Sequence, residues 1–194
     1  MTGKPVPSVD EMLKKLEPEH VRANLVRAGL YLAGWEMLKS EIQNKVKEFY
    51  LTGFDENGLT YSIDFDRRVL ARHKSRFEAS LLWLVEANGL TEAEADQARA
   101  LREYRNEVAH ELPKMLTEVG HDIDVDRIRQ MNHLLKSLGV FWGRIEVDIN
   151  PDFDGQDVDD EGIQSGIMLL MEHLLAAAEE MATPAAVSSR DGVG

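Results

Sequence analysis

The sequence contains no cysteine, which excludes disulfide bonds, thiolate nucleophiles and cysteine-ligated zinc. No stretch approaches the roughly 18 uninterrupted apolar residues of a membrane-spanning helix. The N-terminal stretch MTGKPVPSVDEML also lacks the apolar segment of a secretory signal. Glycine-rich phosphate loops and the H-E-x-x-H motif are missing as well. We therefore expect a cytoplasmic protein with no membrane partner and no cofactor.

Basic residues are scarce overall, and their distribution along the chain is uneven. The 22 Lys and Arg residues against 35 Asp and Glu residues give a formal net charge of −13, which argues against a nucleic-acid partner. Residues 1–76, however, contain 13 basic and 11 acidic residues (+2), whereas residues 77–194 contain 9 and 24 (−15). A local basic groove is therefore compatible with the acidic total.

Apolar residues recur with helical spacing through most of the 194 residues, and no run alternates with the period of a strand. Helices are predicted over 20–50, 64–87, 91–112, 124–147 and 162–181, with a short one starting at the capping box Ser8-Val9-Asp10-Glu11. A second capping box, Thr91-Glu92-Ala93-Glu94, opens the helix over 91–112. The turn formers of 52–58 predict a loop, and Pro113 predicts a bend or break. We expect one all-α domain over 1–181, a bundle of four or five helices, and a disordered tail over 182–194.

One stretch of the third long helix presents groups that are suited to phosphate chemistry. Arg102, Asn106 and His110 are spaced four residues apart, so they form one stripe over two helical turns, with Arg105 beside it. Imidazole is the side chain whose ordinary pKa lies nearest neutrality, so His110 is suited to take a proton from a ribose 2′-hydroxyl. The guanidinium of Arg105 is suited to the negative charge of the phosphorane, with Asn106 orienting the phosphate or the imidazole.

The segment Arg105-Asn106-Glu107-Val108-Ala109-His110 resembles the R-x4-6-H motif of the HEPN superfamily (higher eukaryote and prokaryote nucleotide-binding domains). Arg68–His73 and Arg127–His133 also fit this spacing, but only Arg105 is followed by the polar residue Asn. The resemblance implies a small helical bundle that acts as a homodimer. It also implies metal-independent cleavage of RNA in toxin–antitoxin or phage-defence systems, with an antitoxin or regulatory protein as partner.

Further cations lie near the motif or on the preceding predicted helix. Arg102 and Lys114 would extend the anionic subsite. Arg68, Arg72 and Arg76, four residues apart, would contact the RNA backbone. The other interpretation is structural: the arginines form an ordinary solvated helix face, and the ring of His110 is satisfied by a neighbouring carboxylate or carbonyl.

Two alternatives come from the acidic half of the chain. The twelve residues 150–161 partly match a calcium loop, in which Asn150, Asp152, Asp154 and Glu161 would be the ligands. An acidic, solvated linker explains the same residues. The alternative function is a non-catalytic helical module that binds a protein or a nucleotide, with the acidic half as its docking surface.

Overall fold

The computed structural model describes residues 7–156 and 158–181, and within them the chain is predominantly helical. The α-helices of this part are α1 Val9–Lys15, α2 Pro18–Glu48, α3 Asp64–Arg68, α4 Arg76–Glu86, α5 Glu92–Thr117, α6 Val125–Ile149 and α7 Gly166–Glu180. The all-α class is confirmed. The tail predicted over 182–194 lies outside the described residues, as does Asp157.

Helix α2 is the central element of the bundle, and it packs against α4, α5, α6 and α7. Tyr31, Leu38 and Ile42 of α2 are fully buried, as are Leu134 and Leu138 of α6. Within each helix these residues are four or seven positions apart, so each helix turns one apolar stripe toward the shared core. None of the helices in the described ranges combines the length and apolar character needed to cross a bilayer.

Helix starts follow the local sequence. The Ser8 hydroxyl accepts from the Glu11 amide at 3.2 Å, and the Glu11 carboxylate accepts from the Ser8 amide at 2.7 Å. Thr91 and Glu94 make the same reciprocal pair at the start of α5. Both capping boxes predicted from the sequence are therefore confirmed, and each satisfies amides that have no partner within the helix.

The segment 51–61 forms a hairpin, so the loop predicted over 52–58 is wrong. Strand β1, Leu51–Asp55, pairs antiparallel with strand β2, Gly58–Tyr61. The turn formers do not fill a long loop but make a tight turn between the strands, with Gly58 at a φ of 114° that favours glycine. Both strands are short; β1 is exposed along its length and β2 is mostly half-buried, so neither carries a period-two pattern of burial.

The helix predicted over 64–87 is interrupted. Helix α3 ends at Arg68, a 3-10 helical turn covers Leu70–Arg72, and His73 is extended before α4 begins at Arg76. The ring Nδ1 of His73 accepts from the Ser75 amide at 3.0 Å, which stabilises the break. Consequently, Arg68, Arg72 and Arg76 do not share one helix face, in contrast to what their spacing predicts.

Helix α5 continues through Pro113 to Thr117, so the predicted break is absent. Proline removes one amide donor from the helix, but Met115, beyond it, is buried in the core. The hydroxyl of Thr117 also donates to the Pro113 carbonyl at 2.9 Å. Tertiary packing thus extends the helix past a residue that disfavours it.

Three donors meet on Asp122, in the loop between α5 and α6. The Nζ of Lys15 lies 2.5 Å from Asp122 Oδ1, and His20 Nε2 and Asn24 Nδ2 each lie 2.8 Å from the same oxygen. The Lys15 side chain is only 3% exposed. Burial by itself raises the pKa of Asp122, but the hydrogen bonds from Lys15, Asn24 and His20 hold it below its ordinary value.

Candidate functional site

A cleft of about 290 Å³ opens where α2, the start of α4 and the middle of α5 meet. We call it the cationic cleft. Its lining residues are Trp35, Lys39, Gln43, Ser75, Arg76, Phe77, Arg102, Arg105 and Asn106. Four of them are cationic and none is acidic. The cleft is therefore a concentration of positive charge on a protein with a net charge of −13.

Helical spacing explains how α2 and α5 contribute to the cleft. Lys39 and Gln43 are one turn apart on α2, and Arg102 and Asn106 are one turn apart on α5, so each pair shares a face. The rings of Trp35 and Phe77 lie 5.6 Å apart between their centroids and form the apolar wall.

The start of α4 brings backbone donors to the same place. Ser75 precedes α4 in an extended conformation, and its side chain accepts no hydrogen bond from the first turn. The first amides of a helix have no partner within the helix, and they carry partial positive charge. Ser75, Arg76 and Phe77 all line the cleft, so this helix start adds to the charge of the side chains.

Arg76 and Arg102 are held by contacts that leave part of each guanidinium available. Arg76 Nη2 donates to the Gln43 carbonyl at 2.8 Å, while its Nε is buried and has no hydrogen-bond partner in the described part of the chain. The guanidinium of Arg102 lies 5.3 Å from the centroid of the Phe77 ring, a cation–π distance. Neither contact neutralises the positive charge.

Arg105 has one weak acidic partner and one amide partner. Its Nη1 donates to Asn106 Oδ1 at 3.3 Å, and its Nη2 lies 3.8 Å from Glu36 Oε1. Glu36 is also paired with Lys39, at 2.8 Å between Nζ and Oε2. The Nε of Arg105 is buried and unpartnered among the described residues.

The remaining residues predicted for the site lie outside the cleft. His110 is exposed one turn beyond Asn106 on α5, and it does not line the cleft. Lys114 is exposed and paired with Glu111. Arg68 is exposed with its Nε 3.8 Å from Asp64, and Arg72 forms an ion pair with Glu86. Of the three arginines predicted to contact the RNA backbone, only Arg76 lines the cleft.

Several lining residues were not predicted as part of a site. Lys39 and Gln43 lie on α2, about sixty residues before the motif, and Ser75 follows the unpredicted break after α3. Their spacing is that of any helix face, and only the packing of α2 and α4 against α5 brings them to Arg105. Trp35 and Phe77 occupy apolar helical positions in the sequence, which predict a core location, and both are buried.

The acidic segment 150–161 is used for local hydrogen bonds. Asn150 Oδ1 accepts from the Asp152 amide at 3.1 Å, and Arg144 Nε donates to Asp160 at 2.7 Å. Asp154 and Glu161 are exposed. Within residues 7–156 and 158–181, no three carboxylate or imidazole side chains are grouped to hold a metal ion.

Comparison of the chain with protein-family models, curated proteins and solved structures finds no match. The function must therefore be inferred from the residues of this chain.

Proposed function

We propose that the cationic cleft binds a backbone phosphate of RNA and that the protein is a HEPN-like, metal-independent endoribonuclease. The observation that carries this proposal is the convergence of Arg76 with Arg102 and Arg105 in one cleft. These arginines come from two separate segments, so a single helix face does not explain their proximity. A planar guanidinium can donate two parallel hydrogen bonds to a phosphate, and three guanidinium groups line this cleft.

In the proposed reaction, the 2′-oxygen of a ribose attacks the adjacent phosphorus and the bond from phosphorus to the 5′-oxygen breaks. The proton of the 2′-hydroxyl passes to His110, and the leaving 5′-oxygen takes a proton from a second imidazole or from water. The products are a 2′,3′-cyclic phosphate and a 5′-hydroxyl. Arg105 stabilises the charge of the phosphorane, and Asn106 orients the Arg105 guanidinium through its 3.3 Å hydrogen bond.

His110 requires a second copy of the chain in this proposal. It is exposed and lies one helical turn, about 6 Å along the axis, beyond Asn106, outside the cleft of its own subunit. A two-fold pairing through α5 would bring two Arg105–His110 sets to one seam. We propose a homodimer of this kind, restrained in the cell by an antitoxin or regulatory protein.

The test is cleavage of a mixed-sequence RNA in EDTA by the wild type, His110→Ala and Arg105→Ala. We expect both variants to lose activity by about 100-fold or more, because each removes a group that acts in the transition state. His133→Ala is the matched control, since His133 is an exposed helical histidine that does not line the cleft. Equal cleavage by the wild type and both variants would contradict the proposal, because the activity would then not depend on Arg105 or His110.

The second candidate is a non-catalytic module that binds RNA or a nucleotide through the same cleft. It is favoured by the position of His110, which does not line the cleft with Arg105. A 2′-O-methyl RNA, which has no free 2′-hydroxyl, separates the candidates because it can be bound but not cleaved. Tight binding of this RNA, weakened by Arg105→Ala, together with no cleavage of ordinary RNA, would establish the second candidate.

A further inference from the structure

A second and larger cavity, of about 810 Å³, lies between α2, α6 and the segment that leads into α7. We call it the α2–α6 cavity. Glu41 and Lys45 of α2 line it, whereas Lys39 and Gln43 line the cationic cleft. At 100° per residue these two pairs point to opposite sides of α2. The two sites are therefore separate, and binding of a ligand in the α2–α6 cavity does not depend on RNA cleavage.

The wall of the α2–α6 cavity is apolar and held in place by close helix packing. Its apolar lining includes Phe49, Trp142, Ile145, Ile163 and Ile167. A Cβ atom at Gly143 of α6 would lie 2.3 Å from Ile163 Cγ2, so glycine is what allows Ile163 to approach the helix. The ring of Trp142 is stacked on Trp83, with an interplanar angle of 12°.

Glu41 supplies the specific polar group in this apolar setting. Its side chain lines the cavity, yet the residue is only 7% exposed, and it has no hydrogen-bond or ion-pair partner within the described ranges. Lys45, one turn along α2, has its Nζ 4.0 Å from Glu48 instead. Burial raises the pKa of Glu41. The charge of Lys45 offsets part of this rise, but no direct ion pair to Glu41 forms in the described part of the chain. Buried carboxylates are normally paired directly, so this one can accept a further cation.

The charges that line the cavity define the chemistry of a ligand. The charged residues that line the cavity are Glu41, Glu48 and Glu146 against the single cation Lys45, so the local field attracts a cation and repels an anion such as a fatty acid. A site with apolar walls and a few convergent polar groups is typical of small-molecule pockets.

We propose that the α2–α6 cavity binds a hydrophobic organic amine, with its ammonium group on the Glu41 carboxylate and its hydrocarbon part against Trp142 and Ile163. The ammonium supplies the partner that Glu41 lacks, and the hydrocarbon covers apolar surface that faces the cavity. A neutral alcohol of the same length would bury the same hydrocarbon but would not form the ion pair with Glu41.

The test compares n-octylamine, which is protonated at pH 7, with 1-octanol by isothermal titration calorimetry on the full chain. We expect one n-octylammonium ion to bind per chain, about tenfold more tightly than 1-octanol, which is the ratio expected for one charge-assisted hydrogen bond. Glu41→Gln should weaken n-octylammonium binding by about tenfold and change 1-octanol binding by less than twofold. Unchanged cooperative unfolding of the variant would verify that it is folded.

The matched control is Glu146→Gln, which removes an exposed carboxylate at the same cavity. Because water screens an exposed charge, we expect less than a twofold effect on n-octylammonium binding. The proposal is wrong if n-octylammonium does not bind the wild type at millimolar concentration. It is also wrong if Glu41→Gln weakens both ligands equally, or if Glu146→Gln weakens the amine as much as Glu41→Gln.

Discussion

Glu36 Oε1 lies 3.8 Å from Arg105 Nη2, so a carboxylate of α2 borders the cationic cleft and competes with any anion for that guanidinium. Both side chains are partly exposed, and such pairs contribute only about 0.2–1 kcal/mol. Replacing Glu36 with Gln should therefore strengthen binding of a 2′-O-methyl RNA by about two- to fivefold. Fluorescence anisotropy at 50 mM salt measures the change.

The matched control for this first prediction is Glu103→Gln, which removes an exposed carboxylate from α5 that does not line the cleft. We expect it to change affinity by less than Glu36→Gln. If the two variants gained the same RNA affinity, the total charge of the protein, rather than the cationic cleft, would govern RNA binding.

A second prediction distinguishes the arginines that share four-residue spacing in the sequence. Arg76 lines the cleft, whereas Arg68 is exposed beside Asp64. Arg76→Gln should weaken binding of the 2′-O-methyl RNA and reduce the slope of log affinity against log salt by about 0.7, the value for one contact to a single strand. Arg68→Gln should leave that slope unchanged. If the two variants had the same RNA affinity and the same salt slope, the RNA would not bind in the cationic cleft.

A third prediction concerns Asp122, which accepts hydrogen bonds from Lys15, His20 and Asn24. Asp122→Asn should lower the free energy of unfolding at pH 7 by about 1–3 kcal/mol, because the buried amine of Lys15 loses its charged partner. Urea unfolding measures this loss. Asp126→Asn is the control, since Asp126 is exposed and pairs only at the surface, with Arg129.

The same variant has a defined pH dependence. The folded-state pKa of Asp122 is lowered, so its contribution to stability is present above the ordinary aspartate value and is lost as the pH falls through the lowered one. The difference in free energy of unfolding between the wild type and Asp122→Asn should therefore be large at pH 7 and shrink toward pH 2. A difference that is independent of pH would contradict the ionic role of this carboxylate.

For Glu41 we predict the opposite pH dependence of stability from that of Asp122. Burial raises its folded-state pKa, so its contribution to stability is complete below the ordinary glutamate value and is lost as the pH rises through the raised one. Lys45 and Glu48 of α2 and Glu146 of α6 are the other charged groups that line this cavity. Without added ligand, Glu41→Gln should therefore be more stable than the wild type at pH 8, and the gain should vanish near pH 4. Thermal unfolding at the two pH values checks this, with Glu146→Gln as the control.

The sequence predicted the long helices well because their apolar residues follow the helical period without interruption. It failed where local signals competed with packing. The break after α3 is accompanied by a hydrogen bond from the Ser75 amide to His73 Nδ1, and the hairpin forms through the pairing of β1 with β2. The last turn of α5 depends on the burial of Met115 beyond Pro113. None of these partners is encoded in the spacing of the residues concerned.

For the candidate site, the sequence identified Arg102, Arg105 and Asn106 because they lie on one face of one helix. It also singled out His110, which shares their stripe but lies outside the cleft. It could not find Lys39 or Ser75, whose membership in the cleft depends on how α2 and α4 approach α5.

The sequence by itself determined the helical class, the capped helix starts and the grouping of phosphate-suited side chains along α5, because these depend on residues within a few turns of each other. Tertiary structure alone decided which cations share a cleft and which carboxylate is buried beside a cavity. Those outcomes depend on distances between helices that are far apart along the chain, and such distances are set by the packing of the whole core.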